Sequence, residues 1–233
     1  MATFVVAHGA WSSGWAWKKM RPLMRARGHE FFTPSYTGLG ERTHLANANI
    51  DLDTHIQDIV GVLEYEDLRD VILLGHSYGG MVATGVADRA APRLKALVYL
   101  DAFVPGDGQS LQDFVPPEHA KQQRDSAIDG WKLPANPVPP DTSPADKAWV
   151  EAHRGLQPLK TVTQKLRLRL GETKLPRSYI YCTKKGPGDV FVQFATRAKQ
   201  SGWAYYEIDA SHSPNVTAPE ALAEILDGIA RGA

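Results

Sequence analysis

Ser77 stands in the pentapeptide Gly-His-Ser-Tyr-Gly at residues 75–79, a G-x-S-x-G motif that a further glycine follows. The apolar run before it, 71–74, predicts a buried strand, and the helical spacing of Met81, Val82 and Val86 predicts a helix directly after it. Glycine permits the sharp turn between the two because it has no Cβ. In this context the motif predicts a nucleophile elbow, which exposes the serine Oγ at the carboxyl edge of a sheet. Ser77 is therefore the predicted nucleophile.

A serine hydroxyl is a weak nucleophile unless a base lies beside it. His212 is the predicted base, because it follows the last predicted strand and comes after the serine in chain order. His8 and His76 lie beside the site in tight turns, which favours orienting or packing roles. His55 and Asp58 share one helical face without a third ligand nearby, so we expect no metal site. The predicted chemistry is acyl transfer through serine.

An oxyanion hole needs two backbone N–H groups directed at the developing negative charge. Tyr78 supplies one, since it directly follows the nucleophile. The loop after the first strand, Ala-His-Gly-Ala-Trp-Ser-Ser, supplies the other at Ala10. We expect Trp11 and Ser12, next in that loop, to line the acyl pocket.

Strands and helices alternate along the chain, which predicts an α/β protein with a mostly parallel, doubly wound sheet of about six strands. Active loops then gather at the carboxyl edge of the sheet. The predicted strands are 3–7, 30–33, 71–74, 96–100, 178–182 and 204–208, and the main predicted helices are 15–27, 54–65, 81–89, 190–200 and 219–230.

The alternation of strands and helices is interrupted between Phe103 and Pro176. Within this segment, residues 133–144 include five prolines in twelve residues. A connection this long is usually a lid or a binding element. We predict a core of residues 1–103 and 177–233 with a cap at 104–176, in preference to a Pro-rich ligand segment for another protein. Phe103 and Trp131 are expected to line the substrate pocket with the apolar residues of the cap.

The amino-acid composition argues against several classes of function. Basic and acidic residues number 26 each in 233, which argues against a nucleic-acid surface. No apolar run approaches the ~20 residues of a membrane span, and the first residues do not resemble a signal peptide, so a cytoplasmic location is the expectation. The lone Cys182 cannot form an internal disulfide. The expected partner is a small-molecule ester, with a homodimer left open and neither nucleic acid nor membrane involved.

Four segments, "HGAW", "GHSYGGM", "YLDAFVP" and "ASHS", resemble in order and spacing the α/β-hydrolase superfamily. The resemblance is to its small esterase branch, the plant methylesterases and hydroxynitrile lyases with their bacterial esterase relatives. It extends over essentially the whole chain and is weakest in the cap. It implies a carboxylesterase with a serine, a histidine and an acid, and no cofactor.

The position of the predicted triad acid along the chain differs from the pattern of the plant relatives. The plant relatives carry it just after the fifth core strand, where Lys184 and Lys185 stand here, and Asp189 follows several residues late. Asp101 ends the fourth strand, a position similar to that of the acid in the haloalkane dehalogenases. We predict Asp101, because a strand end is held by the sheet, whereas Asp189 suits a helix N-cap.

The predicted function is hydrolysis of a small to medium hydrophobic ester through Ser77, His212 and Asp101. A hydroxynitrile lyase is one alternative, although the threonine and lysine of that subfamily are replaced by Gly9 and Ser213. A ligand-binding receptor on the same fold is the other, and an intact triad argues against it. An aspartate nucleophile, as in the dehalogenases, is excluded by Ser77.

Overall fold

Six parallel strands form the central sheet of the computed structural model, which describes residues 1–232. The strands are β1 (Thr3–Ala7), β2 (Glu30–Phe32), β3 (Val71–His76), β4 (Leu94–Leu100), β7 (Arg177–Cys182) and β8 (Ala204–Ile208), with β5 (Lys132–Leu133) and β6 (Gln157–Pro158) outside this sheet. The order across the sheet is β2-β1-β3-β4-β7-β8, which confirms the predicted α/β fold. All six predicted strands form, and β3 runs two residues further than predicted, to His76.

Helices cover both faces of the sheet, and alternate strand side chains enter one or the other of two apolar layers. The helices are α1 (Met20–Ala26), α2 (Leu52–Tyr65), α3 (Gly79–Ala90), α4 (Pro117–Asp125), α5 (Pro144–His153), α6 (Lys160–Thr163), α7 (Val192–Gln200), α8 (Pro214–Thr217) and α9 (Pro219–Gly232). Helices α2, α3 and α7 contribute to the first layer, and α1 and α9 to the second. The predicted helix 15–27 is instead a 3-10 turn, Gly14–Trp17, followed by α1.

The segment between β4 and β7 holds α4, α5, α6 and the antiparallel pair β5 and β6. Four contacts tie it to the sheet edge. Trp11 Nε1 donates to Leu133 O at 3.0 Å, and Trp11 N donates to Gln157 Oε1 at 3.0 Å. Ser211 N donates to Asp141 Oδ2 at 3.0 Å, and Lys19 Nζ lies 2.7 Å from Asp146 Oδ1. The Pro-rich stretch thus lies over the loops at the carboxyl ends of the strands.

Membrane-spanning helices were sought in residues 1–232, and none of the helices there is long and apolar enough to cross a bilayer.

Candidate active site

Ser77 occupies the turn between β3 and α3 with a positive φ of 55°, a conformation that non-glycine residues rarely adopt. The surrounding backbone leaves no room for side chains at the two following glycines. A Cβ on Gly79 would lie 1.9 Å from Ala7 O, and one on Gly80 would lie 2.0 Å from Phe103 O. Close packing of α3 against the neighbouring strand ends therefore requires this glycine pair and holds the strained serine in place.

The ends of strands β3, β4 and β7 lie side by side at Ser77. Ser77 N donates to Leu100 O at 3.2 Å, and Asp101 N donates to Ile180 O at 2.8 Å, so the strand hydrogen bonding continues past the ends of β3 and β4. His212 Nε2 lies 2.8 Å from Ser77 Oγ, and His212 Nδ1 lies 2.6 Å from Asp101 Oδ2. With the Nδ1 proton donated to the carboxylate, Nε2 is left to accept the serine proton.

Asp101 is fully buried and, like Ser77, has a positive φ, 43°. Its Oδ2 accepts from His212 and from the ammonium of Lys185, and its Oδ1 lies 3.4 Å from Cys182 N. Burial acts to raise the pKa of this carboxyl, but the hydrogen bond and charge of His212, together with Lys185, hold the pKa below its ordinary value. Asp101 is consequently ionised beside the imidazole at neutral pH.

Asp189, the competing acid, makes other contacts. Its Oδ2 accepts from Tyr181 OH at 2.7 Å, and its Oδ1 accepts from Phe191 N at 3.0 Å and lies 3.6 Å from Lys185 Nζ. It makes no hydrogen bond to His212 within residues 1–232. The carboxylate therefore organises the turn that leads into α7.

Ala10 and Tyr78 line the same cavity as Ser77. Their backbone N–H groups donate to no acceptor within residues 1–232, so both are available to a bound oxyanion. The next residue, Trp11, has a φ of 57°, and the hydrogen bond from its N–H to Gln157 fixes the loop that carries Ala10. The cap residue Gln157 is a contributor that sequence reasoning missed, since no motif marks it.

Three buried histidines surround the site without joining the triad. Burial lowers the pKa values of His8, His55 and His76 to about 3, so all three are neutral at physiological pH. His76 Nε2 donates to the backbone oxygen of His212 at 2.7 Å and anchors the histidine loop. His55 Nδ1 lies 3.0 Å from Tyr78 OH, which holds the side chain next to the elbow.

A cavity of about 670 Å³ opens over Ser77. The predicted pocket residues Trp11, Ser12 and Phe103 line it. Leu133 and the prolines of the cap form another part of its wall.

Trp131, which was expected to line the pocket, is not among the residues that line this cavity. Trp131 belongs to the turn before β5, and its ring lies against the ammonium of Lys132, 4.9 Å from the ring centroid. The chain reaches the cavity two residues later, at Leu133, which is 2% exposed. An aromatic residue in the cap predicts that the cap supplies an apolar wall to the cavity. The geometry of the turn determines which residue forms that wall.

Within the described chain, 1–232, no three His, Cys, Asp or Glu side chains are grouped so as to hold a metal ion. His55 and Asp58, which the sequence had placed on one helical face, are both engaged in hydrogen bonds, Asp58 with Thr37 and Arg42.

Known proteins resemble this chain in sequence and in fold. A carbendazim hydrolyzing esterase from Nocardioides sp. is 40% identical over 97% of this chain and 98% of its own. Salicylic acid-binding protein 2 from tobacco is 29% identical over 60% of this chain and 55% of its own. An extracellular α/β-hydrolase from a Paenibacillus species superposes with a TM-score of 0.82 at 28% identity, over 97% of this chain and 98% of its own.

The fold is also that of an Arabidopsis methylesterase, which superposes with a TM-score of 0.81 at 22% identity over 100% of both chains. The sequence profile of the alpha/beta hydrolase family matches residues 4–225. The chain therefore belongs to the alpha/beta hydrolase family, as a hydrolase of the carboxylesterase type.

Proposed function

We propose that this protein hydrolyses a small to medium hydrophobic carboxylic ester through a Ser77–His212–Asp101 triad and an acyl-enzyme. One observation carries the proposal: His212 bridges Ser77 Oγ at 2.8 Å and the buried Asp101 Oδ2 at 2.6 Å. A nucleophile, a base and an orienting acid in this relation are the arrangement that serine hydrolases use on many folds.

In the first half of the reaction, Ser77 Oγ attacks the ester carbonyl carbon while His212 Nε2 takes the hydroxyl proton. The carbonyl oxygen becomes an oxyanion, which accepts from the N–H groups of Ala10 and Tyr78. Collapse of this intermediate breaks the ester C–O bond, and His212 returns the proton to the leaving alcohol. The acyl group then remains on Ser77.

In the second half, water attacks the acyl carbon and gives its proton to His212. The tetrahedral intermediate collapses, Ser77 Oγ recovers the proton and the carboxylic acid departs. Asp101 accepts the Nδ1 hydrogen bond throughout, which fixes the imidazole tautomer and stabilises the imidazolium that forms in each half.

The cavity supports a hydrophobic substrate of modest size. Its volume of about 670 Å³ falls within the range of small-molecule sites, and aromatic and aliphatic side chains supply much of its wall. The names of two relatives, a carbendazim hydrolyzing esterase and methylesterase 2, also support an ester as the substrate. We accordingly propose Trp11, Ser12, Phe103 and Leu133 as substrate-contacting residues.

A panel of p-nitrophenyl esters from acetate to decanoate tests the proposal. We expect turnover to be highest for short and medium acyl chains and to fall once the chain outgrows the cavity. Ser77→Ala is the control, and a stopped reaction with the wild type should show one acyl group on the Ser77 peptide by mass spectrometry. If no ester on the panel is hydrolysed above the Ser77→Ala rate, the proposed function is wrong.

A further inference from the structure

Two adjacent lysines follow β7 and point in opposite directions. Thr183 N donates to Ile208 O and Lys184 N donates to Ala210 O, which ties the start of this loop to the end of β8. The side chain of Lys184 is 51% exposed and pairs with the exposed Asp209, whereas that of Lys185 is only 14% exposed and turns toward the active site.

The ammonium of Lys185 binds the same carboxylate, Asp101, that accepts a hydrogen bond from His212. It contacts Asp101 Oδ2, the same oxygen that accepts from His212 Nδ1, and it lies 4.8 Å from the ring centroid of Phe191. A partly desolvated ammonium is costly unless it is paired, and here its partner is a fully buried carboxylate.

We propose that Lys185 is a positioning residue of the triad. Its ammonium shares Asp101 Oδ2 with His212 and offsets part of the carboxylate charge, so that the imidazole is free to accept the serine proton at a lower pH than beside Asp101 alone. This inference rests on the proposed function, in which His212 is the base.

The other titratable groups that we consider near Lys185 and His212 are either neutral or negatively charged. His76, whose ring centroid lies 5.0 Å from that of His212, is neutral because burial lowers its pKa to about 3. Burial raises the pKa values of Tyr181 and Cys182, on β7, so both are also uncharged. The remaining charged neighbours are Asp189, 3.6 Å from Lys185 Nζ, and the cap residue Asp141, which binds Ser211 beside the base.

The direction of the effect follows from these charges. With Lys185 present, one ammonium faces the carboxylates of Asp101 and Asp189. Without it, those carboxylates act unopposed on His212 and favour the protonated imidazolium, which cannot accept the serine proton. A point charge within 4–6 Å shifts a titration by roughly one pH unit or more. Loss of the ammonium should therefore move the onset of activity to higher pH.

The test compares kcat/KM for p-nitrophenyl acetate against pH in the wild type and in Lys185→Met, which keeps the apolar stem and loses the charge. We expect the acidic limb of the profile to move up by about one pH unit, while kcat at the alkaline plateau stays within about tenfold of the wild type. Lys185→Arg should restore the wild-type profile to within a few tenths of a unit. Lys184→Met removes the same charge from the exposed neighbour and should leave the profile unchanged.

A second measurement does not depend on ester turnover. NMR titration of the His212 ring nitrogens in protein with labelled histidine, assigned through His212→Gln, should show the same upward shift of the midpoint in Lys185→Met. If the wild type hydrolyses no ester, the proposed function fails and this titration still decides the role of Lys185. Lys185→Gln, also uncharged, gives the same comparison if the methionine variant does not fold.

A purely structural role predicts different results. Activity would then fall equally at every pH, or only the melting temperature would fall, with the acidic limb and the His212 midpoint both unmoved. Either result, or a shift to lower pH, would overturn the proposal.

Discussion

Replacing Asp101 by asparagine separates the proposed triad acid from its rival in a single comparison. The carboxylate receives donors from three sides: Lys185 and His212 at Oδ2, and Cys182 N at Oδ1. Asparagine offers one acceptor oxygen and one NH₂ group in the same space. If the amide oxygen takes the Oδ2 position, Cys182 N loses its acceptor, and if the NH₂ group takes that position, Lys185 and His212 both lose theirs.

The expected loss of kcat in Asp101→Asn depends on which way the amide is oriented. If the amide oxygen faces Lys185 and His212, the imidazole keeps its tautomer but loses the negative charge that stabilises the imidazolium. If the NH₂ group faces His212, Nδ1 accepts and Nε2 carries the proton, so the ring cannot take the proton of Ser77. We therefore expect kcat to fall by about 10²–10⁴, which corresponds to roughly 3–5 kcal/mol in the activation barrier.

The assay is steady-state hydrolysis of p-nitrophenyl butyrate at the alkaline plateau, with circular dichroism and thermal melting to verify the fold. Asp189→Asn is the matched control, and it should lose less than about tenfold, because Asp189 precedes the N-cap of α7, Phe191, and asparagine keeps an acceptor for Phe191 N. A larger loss in Asp189→Asn than in Asp101→Asn would refute the assignment of the acid, as would near-wild-type kcat in Asp101→Asn.

Three further predictions concern the same site. Ser77→Ala should lower kcat by about 10⁴ or more at an unchanged melting temperature, and a well-folded variant with most of its activity would contradict the mechanism. The wild type should release no cyanide from mandelonitrile above the uncatalysed rate, because Gly9 has no hydroxyl and Ser213 carries no positive charge, in contrast to the threonine and lysine of the lyases; cyanide release measured at the optimum pH would show otherwise. Gly79→Ala should reduce the free energy of unfolding by about 3 kcal/mol or more, since its Cβ would meet the main chain of β1 at 1.9 Å. Gly61→Ala, in the middle of α2 with open space around its Cβ position, should instead raise stability by roughly 0.5–1 kcal/mol in urea unfolding, and equal losses in the two variants would argue against the steric explanation.

The amino-acid sequence by itself predicts the turn that carries Ser77 and the six strands of the sheet. Strands buried on both faces appear as continuous apolar runs, and the elbow places glycines where a Cβ would clash, so both leave local signals. His212 is predicted for a related reason, because the order of strands along the chain already puts its loop at the carboxyl edge of the sheet.

The sequence favours Asp101 over Asp189 because Asp101 ends a strand, but only the tertiary structure gives the contacts of each carboxylate. Both residues follow neighbouring strands, β4 and β7. In the fold, Asp101 is 111 positions from His212 along the chain yet 2.6 Å from its Nδ1, while Asp189 is occupied by Tyr181 and Phe191. The direction of a loop side chain depends on hydrogen bonds to elements far away in sequence, which no local pattern records.

The same physical reason explains the places of Trp131 and Lys185. The sequence predicts that a cap aromatic covers the cavity, but after the turn before β5 it is Leu133, and not Trp131, that lines it. Two consecutive lysines look alike as sequence, and hydrogen bonds to the end of β8 leave Lys184 in solvent and Lys185 against Asp101. Residue type limits the chemistry that each position can perform, and contacts between distant segments select which of those side chains meet.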